Sequence, residues 1–271
     1  MDYGARASQF AYGAAALLAL SMFARWFERV NLYIPSRQMT AHPGSYRLPY
    51  EDLTLKAADG PAINAWYIPN RPDSLVMLVS HGNGGNISSR LEKFVRFHKA
   101  GASVLVYDYR GYGRSTGSPT EQGTYSDGEA AYRWLTKTKG VAPSRIVFYG
   151  ESLGCGVAVE LAKRHPGAGL ILDSGFTSTL DMGRMIFPWL PVRWLVRYRY
   201  DNLSKLPLLR CPLLVMHSPD DDIIPIAMAR RNFAAAAGPK SFFEMKGDHN
   251  EGFMDTGPAY IEAIRSFLAS L

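Results

Sequence analysis

From about Tyr46 onward, short apolar runs alternate with stretches of helical periodicity, and this alternation limits the chain to very few architectures. The runs at residues 75–79, 103–107, 146–149, 169–172 and 213–216 are continuous, rich in β-branched residues and bounded by turn residues, as strands buried on both faces are. Helical patterns are expected near residues 88–99, 125–138, 153–164, 225–237 and 258–269, with His165-Pro166-Gly167 stopping the third. Strands separated by helices need crossover connections, so the expected fold is α/β, a mostly parallel sheet flanked by helices. Residues 51–56 and 62–68 flank the turn dipeptide Asp59-Gly60, which predicts an antiparallel hairpin at one edge and makes the sheet mixed.

A chain of 271 residues that is 47% hydrophobic can build one large core of this kind. Its two cysteines, Cys155 and Cys211, exclude a disulfide-stapled scaffold and argue against a cysteine zinc site. The net charge of +6 favours anionic surfaces, but the Lys and Arg are scattered and no zinc-finger or RNP signature occurs, so nucleic acid is not an expected partner.

Between Arg6 and Arg25 the sequence is uncharged, and residues 7–24 as a helix would be roughly 27 Å long, close to the hydrocarbon thickness of a bilayer. Apolar residues fall on every face of that helix, unlike an in-plane amphipathic segment. The expectation is an N-terminal hydrophobic helix at residues 1–30 that anchors a catalytic domain of residues 31–271 to a membrane in a single pass. A signal peptide cut near Ala19-Leu20-Ser21, or a helix docked on the domain, are the alternatives. Arg25 and Arg29, just past the segment, lean toward a cytoplasmic domain.

Gly150-Glu-Ser-Leu-Gly154 lies between the predicted strand at 146–149 and the predicted helix at 153–164. That is the strand, sharp turn and helix of a nucleophile elbow, whose glycines let strand and helix approach closely around an exposed Ser152. A serine hydroxyl is a weak nucleophile at neutral pH and needs an imidazole base, itself oriented by a carboxylate. Elbow enzymes place these in the order Ser, acid, His, so His42, His81 and His98, which precede the elbow, are excluded. His165 ends a helix; His217 ends a strand next to the candidate acids, and His249, in a loop before the last helix, is the expected base. From spacing alone Asp220, Asp221 and Asp222 are all within reach of it, with Asp173 at a strand end as a rival and Asp248 expected to face solvent or trim the local field.

The tetrahedral intermediate needs N–H donors, one from the residue after the nucleophile, Leu153, and one from the loop after the first central strand. That loop is His81-Gly-Asn-Gly-Gly-Asn86, where the backbone N–H of Asn83 is the expected donor. No Gly-Lys-Ser/Thr follows it, as a phosphate-binding loop requires, and no metal-ligand spacing such as His-Glu-x-x-His occurs. The expected chemistry uses no metal and no cofactor.

Together with Asp108-Tyr-Arg-Gly-Tyr-Gly-Arg-Ser115, Asp221-Asp-Ile-Ile-Pro225 and Gly247-Asp-His249, these motifs resemble successive landmarks of the α/β-hydrolase superfamily over residues 45–271. The chain looks most like its membrane-anchored ABHD-type serine hydrolases, which carry one N-terminal hydrophobic segment and a short cap. The resemblance implies hydrolysis of carboxylic esters or thioesters of acyl or lipid-like substrates. It selects Asp221, four residues before Pro225, as the acid, although His217-Ser-Pro-Asp-Asp221 departs from the family's His-Gly-x-x-Asp and leaves Asp220 and Asp222 in contention. The motif from Asp108 to Ser115 is expected to be a structural corner, with Arg110 pairing to a carboxylate. The family's variable segment falls at residues 176–206, where an apolar, aromatic stretch is suited either to core packing or to the wall of an acyl pocket, and Arg184, Arg193, Arg197 and Arg199 either to solvent or to anionic headgroups. A serine peptidase of the same fold and a non-catalytic, membrane-tethered binding protein are the competing readings.

Overall fold

A computed structural model describes residues 3–271, and within the first helix the side chains from Ser21 onward together with those of Tyr12, Ala15, Leu18 and Ala19. The main sheet comprises β1 (Glu51–Lys56), β2 (Ala62–Ile68), β3 (Val76–Ser80), β4 (Ser103–Tyr107), β5 (Ile146–Glu151), β6 (Gly169–Asp173), β7 (Leu213–His217) and β8 (Lys240–Glu244). Their spatial order is β1-β2-β4-β3-β5-β6-β7-β8. β2 is antiparallel to both β1 and β4, and the remaining pairs are parallel. The expected edge hairpin is therefore present.

Along the chain the helices are α1 (Tyr3–Leu32), α2 (Leu91–Lys99), α3 (Glu121–Arg133), α4 (Leu153–Arg164), α5 (Thr179–Ile186), α6 (Val192–Leu195), α7 (Ile226–Ala235), α8 (Gly252–Asp255) and α9 (Pro258–Ala269). The two-residue alternation of each central strand divides the core between the sheet's faces. Val76, Leu78, Ile146 and Phe148 pack toward α3, α4 and α7, whereas Met77, Val79, Val147 and Tyr149 pack toward α2 and α9. α3 starts at Glu121 rather than Tyr125 because the Thr120 hydroxyl caps the Gly123 N–H at 3.0 Å.

α1 bears out a helix at the N-terminus but not a membrane span. Among the described residues no helix is long and apolar enough to cross a membrane. Past Ala24 the helix carries Arg25, Glu28, Arg29 and Asn31, which end its apolar run; most of the candidate anchor before Ser21 falls outside the described side chains. The last turns of α1, past the candidate span, dock on the domain. The Glu28 carboxylate accepts the backbone N–H groups of Arg197 and Tyr198 at 2.8 and 2.9 Å, and the Tyr33 hydroxyl meets that of Tyr200 at 2.7 Å.

The corner at residues 108–115 is structural, as its sequence suggests. The Arg110 guanidinium donates to Asp127 at 2.8 Å and to Asp59 at 2.5 Å, with the Asp127 side chain fully buried. Burial pushes the Asp127 carboxyl up to about 6 despite the Arg110 hydrogen bonds that oppose the shift. Arg110→Ala is expected to destabilise the fold by about 3 kcal/mol, because it strands that carboxylate in the core. Chemical denaturation at neutral pH reads this as a lower midpoint at an unchanged slope.

Candidate active site

Ser152 stands between β5 and α4 with φ 51° and ψ −115°, in the left-handed half of backbone space that a non-glycine residue enters only when its surroundings hold it there. Two glycines make the turn possible. A Cβ on Gly150 would lie 2.5 Å from the Cα of Cys155, and one on Gly154 would collide with the Ser80 carbonyl. The Ser152 N–H is fixed by the Asp173 carbonyl at 2.9 Å, which ties the elbow to the end of β6.

The loop before α8 brings His249 to this serine, with Nε2 3.0 Å from Ser152 Oγ. On its other side Nδ1 lies 2.8 Å from Asp221 Oδ2. Asp221 is held in turn by the N–H groups of Ile223 and Ile224 on Oδ1, at 3.0 and 2.8 Å. These bonds and His249 keep its carboxyl below the ordinary range although burial acts the other way. An ionised carboxylate only accepts, so the His249 proton resides on Nδ1 and Nε2 is free to accept from the serine hydroxyl.

The other acids separate by what they touch. Asp220 is exposed. Asp222 accepts the backbone N–H of His249 at 3.2 Å, and Asp248 caps its own loop by accepting from Asn250 and Glu251. Asp173 faces Tyr149, Tyr260 and Lys93 at 2.5, 2.7 and 3.3 Å. His217 is buried, donates through Nε2 to the Ile224 carbonyl at 2.7 Å, and stays neutral because burial lowers its pKa.

On the opposite side of Ser152, the loop after β3 is held by its own histidine. Burial pushes His81 down to about 3, so the ring is neutral, and its Nδ1 lies 2.7 Å from the Gly82 carbonyl. In a trans peptide that turns the Asn83 N–H the other way. The Asn83 carbonyl is occupied by the Ile34 N–H at 3.1 Å and the Tyr112 hydroxyl at 2.8 Å. Among the described residues the N–H groups of Asn83 and Leu153 make no hydrogen bond.

Residues 76–195 match the α/β hydrolase fold family. An uncharacterized protein of Mycobacterium tuberculosis is 38% identical over 89% of this chain and 87% of its own length. An uncharacterized membrane protein of Saccharomyces cerevisiae is 31% identical over 96% of this chain and 95% of its own. Among solved structures, an esterase of Pyrococcus furiosus superposes with a TM-score of 0.75 at 18% identity, covering 88% of this chain and 98% of that one. The chain belongs to the α/β-hydrolase superfamily.

Sheets of this fold place their ligands at the carboxyl ends of the strands, and the candidate groups lie there. Ser152, Leu153, Asn83 and His249 all line one open cleft of about 1260 Å³. Its walls are apolar: Phe23 and Phe27 from α1, Phe187, Leu190 and Leu195 from the variable segment, and Phe253 on α8. The segment at 176–206 thus serves as wall more than core, apart from a few anchors such as Tyr200 and Leu206.

One buried charge cluster beside the site was not legible in the sequence. Lys93 on α2, an unremarkable residue in the chain, places its ammonium 3.3 Å from both Glu151 and Asp173. Arg90 adds a contact to Glu151 at 3.5 Å. Burial opposes ionisation of Glu151, but the two cations bring its carboxyl down to about 2. The network staples the residue before Ser152 to the end of β6, and only the fold brings its members together.

Proposed function

We propose that the protein is a serine hydrolase that cleaves carboxylic ester or thioester bonds of acyl or lipid-like substrates. The observation that carries this reading is the chain of contacts from Ser152 Oγ through His249 to Asp221 at the floor of an apolar cleft. His249 Nε2 takes the hydroxyl proton as Ser152 Oγ bonds to the carbonyl carbon. The developing oxyanion is met by the N–H groups of Leu153 and Asn83, aided by the positive end of α4. Collapse expels the alcohol or thiol, which takes its proton from His249. Water then enters by the same route in reverse roles and releases the acid, with Asp221 fixing the imidazole throughout.

Residues 31–271 form the catalytic domain in this reading, and residues 1–30 an arm whose last turns complete the cleft wall. Association with a membrane is supported by the similarity to the Saccharomyces cerevisiae membrane protein.

Substrate class follows from the wall. Each methylene buried in the cleft contributes about 0.8 kcal/mol, or roughly fourfold in kcat/KM, if the acyl chain lies along it. Turnover of an ester series of rising acyl length by detergent-purified full-length protein is expected to climb with chain length until the cleft is filled. Preference for the acetyl ester, or turnover confined to peptide amides, would defeat the acyl reading.

A further inference from the structure

The variable segment presents two faces. Leu190, Val192 and Leu195 point to the cleft or the core, while Trp189 and Trp194 face outward with 75% and 80% of their surface exposed. Two tryptophans this exposed within six residues are unusual for a surface in contact only with water. The neighbouring turns of α1 continue the patch with the exposed side chains of Met22, Phe23 and Trp26. They are joined to it by the Glu28 contacts and by Arg197, whose guanidinium donates to Ser21 at 3.2 Å.

The charge around these aromatics has one sign. Residues 182–200 include four arginines and no acid. The two carboxylates that approach are spent on backbone N–H groups: Glu28 on Arg197 and Tyr198, and Glu121 on Arg199 and Tyr200. Among the described residues Arg193, Arg197 and Arg199 make no ion pair, and only Arg184 reaches a carboxylate, Asp181 at 3.5 Å. The Arg193 guanidinium lies 5.7 Å from the Trp194 ring.

We propose that this face docks on an anionic lipid bilayer, with Trp189 and Trp194 in the headgroup boundary and Arg193, Arg197 and Arg199 against lipid phosphates and carboxylates. Exposed aromatics flanked by unpaired guanidinium groups match that boundary in both polarity and charge. A protein partner of ordinary charge would leave the arginines unanswered. Docked in this way, the cleft mouth opens at the membrane, so that an acyl chain enters Ser152's cleft without crossing water. That consequence rests on the hydrolase reading; the docking does not.

The test uses the full-length chain with phosphatidylcholine vesicles, with and without phosphatidylserine, whose acyl chains carry bromine as a fluorescence quencher. The emission contributed by the pair is the difference between the protein and its Trp189→Phe/Trp194→Phe variant. It is expected to be quenched on vesicles, more strongly with phosphatidylserine, and to recover in high salt. Trp189→Ser/Trp194→Ser, at exposed positions that leave the fold intact, is expected to weaken vesicle binding by roughly tenfold or more. Its turnover of a short soluble ester should stay unchanged, since neither residue lines the cleft. If the pair's emission is not quenched on vesicles, the docking is wrong even where α1 holds the chain on the membrane. If the serine variant instead converts a vesicle-free dimer to monomer, a second copy covers the patch and the proposal fails. Loss of ester turnover in the unmodified protein would sink the hydrolase reading and leave the quenching result standing.

Discussion

Ser152→Ala is expected to lower kcat/KM for the best ester by about four orders of magnitude or more, a loss of about 5 kcal/mol of transition-state stabilisation. The size follows from the mechanism: without Oγ no acyl-enzyme forms, and what remains is water attack assisted by the oxyanion donors and the cleft. The fold should be indifferent to the change. Ser152 Oγ contacts only His249, and the backbone strain at φ 51° is imposed by Gly150, Gly154 and the Asp173 carbonyl, all of which persist in the variant. A steady-state comparison on the same preparation, with the thermal midpoint as control, decides the matter. Cys155 is no substitute nucleophile: it is buried, burial drives its thiol well above the usual range, and its sulfur sits 3.1 Å from the Gly150 carbonyl. A variant that kept most of the activity would therefore mean that His249 activates water directly and that the covalent route is wrong.

The parts of this molecule that were legible in the sequence are those where one local rule decides the outcome. The central strands are continuous β-branched runs with no other use, and α4 and α9 run from Leu153 to Arg164 and from Pro258 to Ala269 as their periodicity requires. Ser152 was legible because glycine spacing, strand and helix coincide at one place. The cap was not. α5 and α6 are short, and their apolar residues divide between core, cleft and solvent, so no single period marks them. The pairing of residues 34–35 with residues 84–85, which brings the end of α1 to the loop after β3, depends on a contact across fifty residues. The N-terminal segment was legible only in part. Uncharged composition up to Ala24 suggested a bilayer span, but composition could not show that the polar residues from Arg25 to Asn31, just past it, carry the helix onto the domain surface.

The acid is where sequence and structure differ most in what they can decide. Asp220, Asp221 and Asp222 are adjacent, so spacing is almost the same for all three, and only their environments separate them. Asp221→Asn is expected to reduce kcat by about three to four orders of magnitude, because an amide in place of the carboxylate no longer holds the Nδ1–H tautomer of His249 or stabilises its imidazolium. Asp222→Asn should cost only a few-fold, through the backbone N–H of His249, and Asp220→Asn should be nearly silent. A pH profile supplies a second reading. Burial acts to lower the pKa of His249, but the hydrogen bond and charge of Asp221 outweigh it and raise the pKa above 6.5. The base must be neutral to accept the Ser152 proton, so activity appears as pH rises through that raised value and is lost below it. Removing the Asp221 hydrogen bond and charge leaves only the smaller pull of Glu151 and Asp173 against burial, and the residual activity of Asp221→Asn should therefore extend to lower pH, while Asp220→Asn keeps the wild-type limb. A larger loss in Asp220→Asn, or a limb that Asp221→Asn does not move, would transfer the orienting role away from the one carboxylate that the fold buries against His249.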